Sequence, residues 1–153
     1  MKQTLILLCA TLLLASCTGN STQKQDKQTV TNTVNTVAYI DQETLRTTLY
    51  DYTDAQPTYK GKKPAVIDIY TTWCPPCKIM APILEELAQE FGDQVDFYKF
   101  DAEQETTATG MLRIQGYPTF LFLTPGKPAH IQLGALSKEA FIQLLRTHLL
   151  QNE

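Results

Sequence analysis

An almost unbroken apolar run, Ala65-Val66-Ile67-Asp68-Ile69-Tyr70, ends three residues before the group Cys74-Pro75-Pro76-Cys77. A strand with one face in water alternates apolar and polar side chains. This run does not alternate, so it reads as a central strand buried on both faces. Such a strand must be covered above and below, which calls for an α/β arrangement of a sheet between helical layers. Pro75 then opens a helix to about Phe91. Ile79, Ile83, Leu84, Leu87 and Phe91 recur at helical spacing, and Gly92 stops it.

The rest of the chain supplies what this strand and helix need. Val37 to Ile40 is a short strand. Asp41 caps a helix running to about Tyr50, with Leu45 and Leu49 on one face. Residues 51–63 carry Asp, Gly, Pro and Lys and read as a loop. Val95 to Phe100 is a strand, Glu103 to Met111 a weak helix, and Thr119 to Leu123 a strand. The turn Thr124-Pro125-Gly126 leads to a further strand, Ala129 to Leu133, in a hairpin pattern. Ser137 caps a last helix whose apolar face carries Phe141, Leu144, Leu145 and either His148 or Leu149. The order β-α-β-α-β-α-β-β-α describes one α/β domain, a central mixed β-sheet flanked by helices on both faces.

Residues 1–16 read as a secretory signal: Lys2 supplies the positive end, and Leu5 to Leu8 with Leu12 to Leu14 supply an apolar stretch too short to span a bilayer comfortably. Leu14-Ala15-Ser16-Cys17 resembles the lipobox of bacterial lipoproteins, in which the Cys is lipidated and becomes the new N-terminus. The other readings are an ordinary signal peptide or an uncleaved anchor, with Cys17 incidental. Acylation of Cys17 would supply the two or more chains that stable anchoring needs. Residues 17–36 are rich in Thr, Asn, Gln, Ser and Lys and poor in apolar side chains, which suits a solvated tether. The domain is expected over residues 37–153.

Composition narrows the function. The chain is 43% hydrophobic and 19% charged, as a folded domain is. Its net charge of −3 becomes 12 − 16 = −4 once Lys2 leaves with the signal, which argues against a nucleic-acid partner. The two His lie far from every Cys, so a Cys/His zinc site is not expected. Cys9 would leave with the signal and Cys17 would carry lipid, so Cys74 and Cys77 are the thiols of the domain. A C-x-x-C pair between a buried strand and a helix start reads as a redox pair. The helix N-terminus favours a thiolate on Cys74, which attacks a substrate disulfide. Cys77, expected to be the more buried, then attacks the mixed disulfide. Half a zinc site or an inert structural disulfide are the competing readings.

The stretch from Val37 to His148 resembles thioredoxin over essentially the whole domain. Asp68 stands six residues before Cys74, where that family keeps a buried acid, and Lys99 matches the lysine that pairs with it. Gly116-Tyr117-Pro118-Thr119 matches the cis-proline segment, at the same separation from the first Cys, 118 − 74 = 44. Gly126 and Gly134-Ala135-Leu136-Ser137-Lys138 match later glycines and the start of the last helix. The resemblance implies the thioredoxin fold and a thiol–disulfide oxidoreductase with no cofactor beyond its own Cys74–Cys77 disulfide. It implies that Asp68, raised by burial and opposed by Lys99, moves the proton of Cys77. Pro118 is then cis. Trp73, Pro75, Pro76, Tyr117 and Pro118 form the substrate surface, Trp73 as a partly exposed platform.

The usual pair between the cysteines is Gly-Pro; here it is Pro75-Pro76. Two prolines remove two N–H groups that could stabilise a Cys74 thiolate. Fewer stabilisers mean a higher Cys74 pKa, a less stable reduced form and a lower potential, the properties of a reductant. The expectation is a monomeric reductase of exported, disulfide-containing proteins. It would be lipid-anchored in the bacterial envelope on the periplasmic side and fed by a membrane thiol donor. The alternatives are an oxidant or isomerase of the same fold, or a non-enzymatic binding module.

Overall fold

The computed structural model describes residues 36–150. The expected signal, Cys17 and the tether up to residue 35 lie outside the described residues, as do residues 151–153. The elements run β1 (Ala38–Ile40), α1 (Gln42–Thr44) continued by a π-helical turn (Leu45–Leu49), β2 (Ala65–Tyr70), α2 (Pro75–Phe91), β3 (Asp96–Asp101), α3 (Thr106–Met111), β4 (Thr119–Leu123), β5 (His130–Leu133) and α4 (Lys138–His148). The five strands form one sheet in the order β1-β3-β2-β4-β5. β1, β3 and β2 are parallel, while β4 runs antiparallel to β2 and β5 antiparallel to β4. This is the thioredoxin fold that the sequence implies. β2 lies at the centre of the sheet, and all of it but Tyr70 is fully buried, as its unbroken apolar run requires.

The two faces of the sheet bury separate clusters. On one, Ile67, Ile69, Phe100 and Leu121 pack with Leu45, Leu49 and Ala108 from the π-helical turn and α3. On the other, Val66, Phe97, Phe120 and Phe122 pack with Met80, Leu84 and Leu87 of α2 and with Phe141 and Leu145 of α4. A strand presents alternate residues to each face. Asp68, two residues on from Val66, therefore points to the side that α2 covers.

Local chemistry explains where the elements depart from expectation. The helix expected over 41–50 starts at Asp41, whose carboxylate accepts the Thr44 N–H at 2.7 Å. Only its first turn is α-helical. The Thr47 and Thr48 hydroxyls bond the carbonyls of Glu43 and Thr44, and the Tyr50 N–H reaches back five residues to Leu45 at 2.6 Å. Hydroxyls that bond carbonyls loosen the turn, yet Leu45 and Leu49 both still reach the core. α2 ends before Gly92 as expected, but Gly92 is right-handed. The Lys63 ammonium caps its carbonyl instead and pairs with Asp96 at 2.6 Å. At the end of α4 it is the C-cap residue Leu149 that is buried; His148 stacks on His130 with ring centroids 3.7 Å apart. The loop 51–63 is pinned by Tyr59, which bridges to Tyr50 and Pro125 and donates its hydroxyl to the Lys63 carbonyl at 2.8 Å.

Candidate active site

Cys74 sits where the chain leaves β2 and turns into α2, and it is the N-cap residue of that helix. Cys74 and Cys77 are joined by a disulfide, with Cα atoms 5.3 Å apart. The first N–H groups of a helix have no partner within it and point at whatever lies before its first turn. Here Pro75 and Pro76 occupy the first two helical positions and have no N–H to give. The first donor left is the N–H of Cys77, and it bonds the Cys74 sulfur at 3.2 Å. The expected difference in burial between the cysteines is absent. Cys74 is 3% and Cys77 4% exposed, because the disulfide holds both sulfurs in the same narrow seat.

Around this seat the other expected residues assemble. Trp73 is 64% exposed, and its ring meets Tyr117 edge-on at 6.0 Å. That contact places the segment before the proline beside the cysteine loop. The Tyr117–Pro118 bond is cis, as expected. Pro118 is buried, its carbonyl accepts the Gly134 N–H at 2.8 Å, and the Thr119 hydroxyl closes the turn onto the Gly116 carbonyl at 2.7 Å. Tyr117 makes no backbone hydrogen bond among the described residues, which leaves its N–H and carbonyl open to an extended chain. Pro75 is exposed and Pro76 half-buried.

Beneath the cysteines lies a row across four strands: Tyr39, Lys99, Asp68 and Phe120. Asp68 is therefore an interior residue of the central strand, 1% exposed. Among the described residues, neither of its carboxyl oxygens has a hydrogen-bond partner. Burial raises its pKa to about 7, with the Lys99 charge opposing. A carboxyl group that titrates at neutral pH can take and return a proton there. Lys99 is 8% exposed, and its ammonium lies 4.8 Å from the centre of the Tyr70 ring and 5.8 Å from that of Tyr39.

One residue of the site escaped the sequence. Glu103 was expected to open a helix, but α3 begins at Thr106. The Glu103 carboxylate instead accepts both the backbone N–H of Thr72, at 2.7 Å, and its hydroxyl, at 2.6 Å. These bonds, with the Trp73 indole, hold its pKa below the usual carboxylate range. Glu103 thus ties the end of β3 to the loop that carries Cys74. The partners are 31 residues apart in the chain, so no local pattern announces the contact. Among the described residues, no group of three or more His, Cys, Asp or Glu could hold a metal ion.

Comparison with known proteins agrees with this geometry. The thioredoxin family model matches residues 45–147. The thioredoxin of Borreliella burgdorferi is 36% identical over 100 residues, which is 64% of this chain and 85% of that one. The thioredoxin of Bacillus subtilis is 38% identical over 82 residues, 54% of this chain and 79% of that one. Among solved structures, the Malassezia sympodialis thioredoxin Mala s 13 superposes with a TM-score of 0.61 at 27% identity, covering 74% of this chain and 91% of that chain. Chloroplastic thioredoxin z does so with a TM-score of 0.60 at 27% identity, covering 73% and 93%. A cysteine pair capping a helix, a cis-proline beside it and a buried acid beneath it are joined here by matches along most of the domain, and the chain belongs to the thioredoxin family of thiol–disulfide oxidoreductases.

Proposed function

We propose that this thioredoxin is a reductase of disulfides in exported proteins, tethered by lipid at Cys17 to a membrane of the bacterial cell envelope. The observation that carries the reductive direction is the single backbone N–H at the Cys74 sulfur. A thiolate is stabilised by each donor that faces it. Pro76 matches the proline of the usual Gly-Pro pair, and Pro75 removes one further donor, so the Cys74 thiolate gains less from the helix start. The dithiol form is then poorly stabilised and gives up its electrons readily.

In the reaction, the Cys74 thiolate attacks a substrate disulfide. One S–S bond breaks, a mixed disulfide forms, and one substrate thiolate leaves. Asp68 takes the proton of Cys77 through the interior, and Lys99 limits how high its pKa rises. The Cys77 thiolate attacks the Cys74 sulfur, the second substrate thiolate leaves, and the protein is left as the disulfide. Two electrons have passed to the substrate, and a membrane thiol donor must return them. Trp73, Pro75, Pro76 and Tyr117 form the surface on which an extended substrate segment lies, and the buried cis Pro118 shapes the backbone there.

Two measurements test this reading. Thiolate absorbance of the reduced protein should titrate Cys74 at or above about pH 7; a midpoint far below 7 contradicts the reductive direction. Expression of Cys77→Ser should leave Cys74 covalently bound to exported proteins in a membrane fraction, and Cys17→Ser should release the adducts from it. Adducts confined to internal proteins contradict the envelope assignment.

A further inference from the structure

Lys99 lies directly opposite Asp68 on a neighbouring parallel strand, on the same face of the sheet. Adjacent strands are roughly 4.8 Å apart, and a lysine stem can span that gap. Yet both oxygens of Asp68 lack a partner, and the Lys99 ammonium sits over the ring of Tyr70 at 4.8 Å, with Tyr39 at 5.8 Å. The two rings meet edge to face, 6.4 Å apart and inclined at 73°, forming the two walls of a corner. Tyr39 is 69% exposed at the sheet edge, where a large aromatic ring gains little from burial. Its placement is accounted for by what it covers.

We propose that Tyr39 and Tyr70 are positioning residues: their ring faces hold the Lys99 ammonium away from Asp68, so that the buried acid is moderated by a nearby charge without being locked into an ion pair. An aromatic face attracts a cation without offering it a carboxylate's full charge. A bonded lysine would keep Asp68 ionised throughout, and it could no longer take up and return a proton near neutrality. The inference deepens the reading of Asp68 as the acid–base group of the exchange and rests on it.

The groups facing Asp68 are few. β3 contributes Lys99 and β4 the apolar Phe120, while α2 brings the Cys74–Cys77 pair to the same side of the sheet. Burial, helped by Asp101, Tyr39, Asp68 and Glu103, pushes Tyr70 up to about 12, so it stays neutral throughout. A transition near pH 7 in this neighbourhood belongs to Asp68.

The test is the carboxyl carbon-13 titration of Asp68 in the full-length protein with its disulfide formed. Tyr39→Phe and Tyr70→Phe keep the ring faces and should keep the wild-type midpoint. Tyr70→Leu, and Tyr39→Leu with Tyr70→Leu, free the ammonium to close on Asp68 and should lower the midpoint by one unit or more. A midpoint that stays or rises in the leucine variants overturns the proposal. Lys99→Met supplies the control that needs no ring removed. It should raise the midpoint, and adding Tyr70→Leu to it should then produce no fall. A fall of equal size without Lys99 would mean that the rings act on Asp68 directly, and this too overturns the proposal. The underlying acid–base reading is judged separately, by the pH dependence of Cys77 attack on a Cys74 mixed disulfide. If Asp68→Asn leaves that profile unchanged while the carboxyl midpoints move as stated, the acid–base reading fails and the ring clamp stands.

Discussion

Asp68 occupies the interior of the central strand with both carboxyl oxygens unpartnered among the described residues, and the fold loses stability by keeping it there. In an unfolded chain the group titrates near 3.9, whereas in the fold it titrates at about 7. Between those values the folded state holds a proton that the unfolded state has released, so stability falls as pH rises from about 4 to 7. Asp68→Asn removes this loss. It should be more stable than the wild type at pH 8, by at most about 4 kcal/mol, with little difference at pH 4, while disulfide exchange slows. Urea denaturation at the two pH values reads the effect, and parallel curves for the two proteins contradict it. Glu103 makes the complementary case, an exposed residue whose value lies in position. Glu103→Ala should barely change thermal stability but slow reduction of a protein disulfide by roughly tenfold or less, with Glu103→Gln partly restoring the rate. Asp68 was legible in the sequence because a charge interrupts an apolar run. Glu103 was not, because its partner Thr72 is brought to it only by the pairing of β2 with β3.

The elements that the sequence made legible are those whose pattern is set by burial. The run from Ala65 to Tyr70 reads as a central strand because apolar side chains are hidden on both of its faces, and α2 is legible because Leu84, Leu87 and Phe91 are hidden on one, although Ile79, which shares their spacing, is 65% exposed. Where side-chain oxygens compete with the backbone the reading fails, as at Thr47 and Thr48, which open the first helix into a π turn. The segment 51–63 is the loop that its composition implies, but what anchors it was hidden. Its polar composition gave no hint that Tyr59 would be buried as a pin between the π turn and the β4–β5 turn. The Tyr59 N–H bonds the Lys127 carbonyl, and its own carbonyl accepts the Gly126 N–H. Gly61 lies so close under the Tyr59 ring that a Cβ there would collide with it. Gly61→Ala should therefore cost about 1–3 kcal/mol. Because this segment leads into the start of β2, remote from Cys74, exchange activity per folded molecule should be unchanged. A calorimetric melt paired with a turnover assay checks both halves, and loss of specific activity at full stability contradicts the assignment.

At the scale of the whole molecule, the sheet separates two tasks. The end where β2 leads into α2 carries the cysteines, Trp73 and the cis-proline segment. The opposite end is closed by Tyr59, by Lys63 with Asp96, and by the stacked His130 and His148. The family's chemistry needs only the first end, and the same arrangement serves reductants, isomerases and oxidants alike, so the fold does not choose among them. That choice falls to the few donors at the Cys74 sulfur, and here the two prolines leave the N–H of Cys77. The reduction potential, measured by equilibrating the full-length protein with a defined dithiol buffer, tests this most directly. A poorly stabilised dithiol should give a value at or below roughly −270 mV, in the range of reducing thioredoxins. A value between roughly −180 and −120 mV, where isomerases and oxidants lie, would contradict it.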